Sequence, residues 1–175
     1  RTQDQYSFKE FYRNFAFDNF YRDEDQQEMD EAMKRIREKG INLDKILGSL
    51  AGGAVGDALG YAVEFWGEEQ IFGKYGERGI TEYELDSFTG KALISDDTQM
   101  TLFTANGLLV GDTRGAMRGI QGWPRHYVTQ AYQDWLYTQE CPFDKQKIQD
   151  RRGNYSCRSW LADVPELYSS RAPGN

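Results

Sequence analysis

The stretch Asp44-Lys-Ile-Leu-Gly-Ser-Leu-Ala-Gly-Gly-Ala-Val-Gly-Asp-Ala-Leu-Gly-Tyr-Ala-Val-Glu-Phe65 sets the fold class of this chain. Ile46, Leu47, Leu50, Ala51, Ala54, Val55, Ala58 and Leu59 recur at helical spacing and fill a broad apolar face, with Asp44 a good N-cap ahead of them. The spacing predicts a long buried helix from Lys45 through Phe65. Gly48, Gly52, Gly56 and Gly60 stand four residues apart and so form one nearly smooth stripe along it. Each interior glycine costs about 0.8–1 kcal/mol of helix propensity relative to alanine. Close approach of another helix or of a ligand backbone along that line would account for them. Four residues further the same line reaches Glu64, and the adjacent line holds Ser49, Gly53 and Asp57. Asp57 puts a carboxylate into an otherwise apolar element, where it must be hydrogen-bonded or paired.

Outward from this helix the chain stays helical. Trp66–Leu93 carries glycines and no dominant period, which predicts a loop with short irregular elements. Ile94-Ser-Asp-Asp-Thr-Gln-Met-Thr101 then leads into Met100, Phe103, Gly107 and Leu108 at helical spacing. Ser95 to Asp97 are N-cap types, so a helix starts there. A loop is expected over Gly111–Pro124, which contains Gly115, Gly119 and Gly122. Tyr127, Ala131 and Trp135, with Val128, Tyr132 and Leu136, mark another helix. The polar piece Asp150–Cys157 gives way to a short helical segment around Trp160–Tyr168 and a final loop. Strand alternation is absent, and the predicted class is all-α.

Residues 1–40 differ in composition from the rest. Phe8, Phe11, Tyr12 and Phe15 follow the i, i+3, i+4, i+7 spacing of one helix face, and Phe17, Phe20 and Tyr21 continue the aromatic run. In the acid-rich stretch Arg22–Glu38, Met29, Ala32, Met33 and Ile36 mark a second face, which Gly40 ends as a helix C-cap. These are either two amphipathic helices packed on the main body or an arm that docks on a partner through its aromatics.

Composition narrows the function classes. Of 175 residues, 21 are Lys or Arg and 28 Asp or Glu, a net charge of -7 that argues against an electrostatic nucleic-acid binder. A mean hydropathy of -0.76 and no apolar run near the roughly 18 residues of a span argue against an integral membrane protein. Aromatics make up 14% of the chain, too many for a disordered one this charged. The chain opens on Arg1 and stops at Ser-Ser-Arg-Ala-Pro-Gly-Asn175, and is expected to be a piece of a longer protein. Cys141 and Cys157 form neither a scaffold nor a Cys-x-x-Cys pair; with no leader visible, two ordinary thiols in a reducing cytoplasm are expected. His126, the one histidine, follows Pro124-Arg125 at a helix start, where a surface or capping place is expected.

Ser95-Asp96-Asp97-Thr98 is the strongest local signal for chemistry. Two acids and a hydroxyl at a helix start can cap backbone N–H groups, where the dipole favours negative charge. The same residues offer hard oxygen donors to Mg²⁺ or Mn²⁺, although an octahedral ion needs more ligands than one tetrapeptide supplies. No Gly-x-x-x-x-Gly-Lys-Ser/Thr loop is present, and the glycine stripe is not a Gly-x-Gly-x-x-Gly turn after a strand.

Three segments in order resemble the ADP-ribosylglycohydrolase superfamily, the all-α metal-dependent hydrolases that include the dinitrogenase-reductase-activating glycohydrolase. They are Gly48–Phe65, Ile94–Thr101 and Arg171-Ala-Pro-Gly-Asn175. The resemblance covers the family's amino-terminal half over residues 43–175, leaving residues 1–40 as an amino-terminal helical extension. It implies that Ser95, Asp96 and Asp97 belong to the first ligand cluster of a site for two Mg²⁺ or Mn²⁺ ions. Glu64 matches a glutamate near the metals that gates or positions substrate. Arg171, Pro173, Gly174 and Asn175 match the segment lining the ADP-ribose cleft, and Asp57 matches a Gly-Asp pair with a structural or supporting role.

The chemistry so implied is hydrolysis of the bond between the anomeric carbon of ADP-ribose and a modified protein side chain, commonly an arginine guanidinium. Asp96, Asp97 and Glu64 are the candidate acids to deprotonate the attacking water. The family's second ligand cluster, of Asp-x-Asp-Thr type, has no match here. Such hydrolases can guard bacteria against ADP-ribosylating toxins and carry an added segment that blocks the toxin, a role that residues 6–36 would suit. The rival expectation is an immunity or binding module whose arm occupies an ADP-ribosyltransferase.

Overall fold

The computed structural model describes residues 42–119 and 124–171, together with Lys34, Glu38 and Gly40. The chain divides into two units, residues 1–46 and 47–175. In the first, Lys34 and Glu38 are helical and Gly40 has φ +72°, the left-handed conformation of a helix-ending glycine. The aromatic run Phe8–Tyr21 and the rest of residues 6–36, Lys34 apart, lie outside the described residues. The core packing and site geometry below belong to the second unit.

Helix α1 spans Leu43–Gly60 and passes into a 3-10 turn, Tyr61–Val63. Its N-cap is Asn42, not Asp44: Asn42 Oδ1 accepts the Lys45 N–H at 3.1 Å. Asp44 instead sits in the first turn, where its charge suits the helix dipole. The expectation of a buried helix is corrected. Ala58 is the one buried residue of α1, whereas Ile46, Leu47 and Val55 are each at least 40% exposed. A Cβ at Gly48, Gly52, Gly56 or Gly60 would meet nothing within 4 Å. Periodicity marks a face as apolar without saying what covers it, and among the described residues nothing comes close along the stripe.

A second correction concerns length. Leu43–Val63 has 21 residues and contains an 18-residue window of mean hydropathy 1.3, long and apolar enough to cross a membrane by those measures alone. Asp57 stands within it, and its carboxylate is bonded to residues 38 and 41 positions further along the chain.

Helix α2, Glu68–Tyr75, occupies a stretch expected to be loop. It is short, and its signals are polar: the Gln70 side chain accepts the Gly67 N–H at 3.0 Å, Glu68 and Glu69 open it, and Lys74 lies in its last turn. Helix α3 runs Asp96–Arg118, starting where the sequence predicts, with Ser95 as N-cap. It continues through Gly111 and Gly115 instead of yielding to a loop, and Gly119 closes it at φ +64° by donating to Gly115 O.

The continuation has a packing reason. Helix α4, Pro124–Glu140, lies so close to α3 that a Cβ at Gly107 would come 2.8 Å from Tyr127 O. One at Gly111 would come 2.7 Å from the Tyr127 ring. Glycine on α3 thus creates the close helix crossing that the α1 stripe does not. Phe103, Ala131 and Leu167 are buried at this crossing, with Tyr132, Trp135, Leu161 and Val164 packed around them.

A second cluster, Ile148, Cys157 and Ala162, gathers under helix α5, Lys145–Gly153. Asp144 caps α5, accepting the N–H groups of Gln146 and Lys147 at 3.0 and 3.1 Å. This helix escapes a periodicity reading because Ile148 is its one apolar anchor. The expected segment around Trp160–Tyr168 resolves into two 3-10 turns, Trp160–Asp163 and Pro165–Leu167. No strand occurs among the described residues, and the fold is all-α, with the domain partial.

The buried carboxylate of Asp134 and its neighbours are matched to partners, although among the described residues Arg151 Nε and Arg158 Nε are buried without one. Asp134, 1% exposed, accepts the backbone N–H groups of Arg158 and Ser159 at 2.9 and 2.8 Å. Ser159 Oγ is 2.7 Å from Asn106 Oδ1 and donates to it, linking this loop to α3. Burial outweighs these bonds and the nearby Arg151, so the Asp134 carboxyl titrates above the ordinary carboxylate value. Both cysteines are free thiols, and burial pushes Cys157 up to about 11. His126 is exposed on the first turn of α4, its ring edge-on to Tyr127.

Candidate functional site

The site is built around the start of α3. Ser95 Oγ accepts the Asp97 N–H at 3.1 Å, which caps the helix and fixes the turn on which both acids sit. Ser95 is 2% exposed; Asp96 is half-buried and Asp97 exposed, so the carboxylates lie at the rim of the packed body.

From α1, Asp57 reaches across to the same turn. Its Oδ2 accepts the Ser95 N–H at 2.9 Å and, by a short hydrogen bond, the Thr98 hydroxyl. The demand for a partner that an acid in an apolar helix raises is met here. Glu64 follows the 3-10 turn as its cap, with its N–H donating to Tyr61 O and its side chain exposed. Among the described residues no hydrogen bond or ion pair joins Glu64 to Ser95, Asp96 or Asp97.

The backbone leading to Arg171 is held by side chains that sequence reasoning missed. Gln99, on the first turns of α3 and 1% exposed, donates through Nε2 to Ser169 O at 3.3 Å and accepts from Trp135 Nε1 at 3.1 Å. Gln139 on α4 accepts the Arg171 N–H at 2.9 Å through Oε1. Two buried or half-buried glutamines thus hold residues 169–171 against the α3–α4 pair. Pro173, Gly174 and Asn175 lie outside the described residues.

The Arg171 charge also acts on Asp86. That carboxylate anchors a tight loop, with Oδ1 accepting the N–H groups of Phe88 and Thr89 and the Thr89 hydroxyl. These bonds, with Arg171 as a smaller contributor, hold Asp86 below its ordinary value. Phe88 projects from the loop 96% exposed.

A Gly-Asp helix and a Ser-Asp-Asp-Thr turn joined by hydrogen bonds, with the Arg171 backbone held by Gln139, call for comparison with known families. A family model described as ADP-ribosylglycohydrolase matches residues 38–174. The chain belongs to this family. Glycohydrolase-type function comes with that membership. No match is found among curated proteins or among solved structures.

The ADP-ribosylglycohydrolase family is generally metal-dependent, and the donors at hand bear on that. A hydroxyl and two carboxylates are the oxygen ligands that Mg²⁺ and Mn²⁺ prefer. Among the described residues no three His, Cys, Asp or Glu side chains gather as a metal-holding group. Ser95, Asp96 and Asp97 therefore fit a hard cation as one part of its shell and do not complete it. The signal that could have found Gln99 was present in the sequence, since it directly follows Ser-Asp-Asp-Thr. Gln139 carried none, because an isolated glutamine within a helix looks like any solvent-facing residue.

Proposed function

We propose that the protein hydrolyses the glycosidic bond joining ADP-ribose to a modified protein side chain, arginine-linked in the first instance, with the help of Mg²⁺ or Mn²⁺. The observation that carries this reading is the α3 start, where Asp96 and Asp97 are presented on a turn capped by Ser95 and bonded by Asp57. Family membership over residues 38–174 supports it.

Ser95, Asp96 and Asp97 would hold the cation. When bound, it supplies positive charge that stabilises the transition state and helps orient water. The chain's own residues account for the rest. An acid among Asp96, Asp97 and Glu64 takes a proton from the water as its oxygen attacks the anomeric carbon. The bond from that carbon to the guanidinium nitrogen breaks, and the leaving guanidine keeps its electron pair and gains a proton. Arg171, with its backbone held by Gln139, offers a planar cation suited to the diphosphate. Pro173, Gly174 and Asn175 are assigned to substrate binding by the family resemblance alone.

The test is release of ADP-ribose from an arginine-modified protein by the full-length protein with Mg²⁺. Asp96→Ala and Asp97→Ala are each expected to lower the rate by about 10²-fold or more. Chelation should abolish it and fresh Mg²⁺ restore it. Undiminished turnover in both variants would sink the assignment.

A further inference from the structure

We propose that Asp57 is a positioning residue for the Asp96–Asp97 pair, acting through Ser95 and Thr98 and touching neither metal nor substrate. The inference rests on the metal reading above and extends it to a residue on a different helix.

The geometry is a bracket. Ser95 and Thr98 stand immediately before and after the two acids, and one oxygen, Asp57 Oδ2, accepts from both. The Ser95 N–H donates to Asp57, while the Ser95 hydroxyl is engaged with the Asp97 N–H. Asp57 thus ties down both flanks of the turn, and Ser95 pins its interior. Ser95 and Thr98 are 2% and 7% exposed, so water does not compete freely for these donors. A pair of carboxylates facing a cation repels itself when the cation is absent. A turn held at both ends keeps the pair in place despite that repulsion, which is how groups behind a ligand commonly raise affinity.

The role requires an acceptor oxygen and not a charge, which separates it from metal ligation. Mn²⁺ titration of the full-length protein, followed by the electron paramagnetic resonance signal of free Mn²⁺, reads the effect. Asp57→Ala is expected to raise the Mn²⁺ dissociation constant about 10- to 100-fold. Asp57→Asn keeps an acceptor and should restore most of that affinity. Thr98→Val removes one of the two donors without touching the Ser95 cap and should cost roughly 2- to 10-fold, the worth of one hydrogen bond. Hydrogen exchange at the Ser95 amide supplies a readout independent of metal: protected in the unaltered protein and in Asp57→Asn, fast in Asp57→Ala.

Asp57→Ala that folds and binds Mn²⁺ normally overturns the proposal, as does Asp57→Asn failing as badly as Asp57→Ala. Should Asp57→Ala not fold, Thr98→Val decides, and unchanged Mn²⁺ affinity there overturns it. If the unaltered protein takes up no Mn²⁺, or Asp96→Ala and Asp97→Ala bind it equally well, the metal reading fails; unprotected Ser95 would then show the bracket itself to be wrong.

Discussion

At the scale of single residues, burial sets the reactivity of the two thiols apart. Cys157 is 4% exposed with its titration raised to about 11, whereas Cys141 is half-buried. Iodoacetamide at pH 8 should label Cys141 first and leave Cys157 unmodified until the protein unfolds, as mass spectrometry of the peptides would show. The same shift fixes a sign. A thiol raised from 9.0 to about 11 contributes stability that is complete below 9 and lost as pH climbs through 11. Burial raises Tyr168 as well, adding to the loss in the same direction. Asp134 matters through its partners: Asp134→Ala strands one buried and one part-buried backbone N–H group and should cost about 2–4 kcal/mol in urea denaturation. The capping of α3 by Ser95 was legible from residue type alone, because a cap is a local bond. The bonds from Asp57, Gln99 and Gln139 were not, since each spans more than thirty residues and leaves no local pattern.

Among elements, the glycines teach the sharpest lesson, because the sequence pattern pointed the wrong way twice. The regular stripe on α1 predicts close packing and meets no neighbour among the described residues, while Gly111, expected in a loop, lies in α3 against the Tyr127 ring. Propensity says what a glycine costs a helix, and only the neighbouring element says what it gains. The contrast can be measured. Gly107→Ala meets the backbone oxygen of Tyr127, which cannot swing aside, and should destabilise by about 1–3 kcal/mol. Gly52→Ala has open space and should stabilise α1 by up to about 1 kcal/mol. Equilibrium urea curves with unchanged slopes would report both; equal effects would refute the packing account.

For the molecule as a whole, stability is unevenly spread. The α3–α4 pair buries Phe103 and Ala131 completely or nearly so, whereas α1 buries Ala58 alone. Amide hydrogens of α3 and α4 should therefore exchange by global unfolding, and those in the first turns of α1 by local opening several orders of magnitude faster. Equal rates along all three helices would contradict this reading. The difference in span between the contacts adds a direction in time. Helices α3 and α4 meet across a short connection, whereas the Asp57 bonds close segments of 38 and 41 residues. Closing the longer segment costs more chain entropy and brings fewer contacts in return. By that argument the clasp from α1 is expected to close after the helical pair has met, so the corner that carries the acids is completed on a pair already in place.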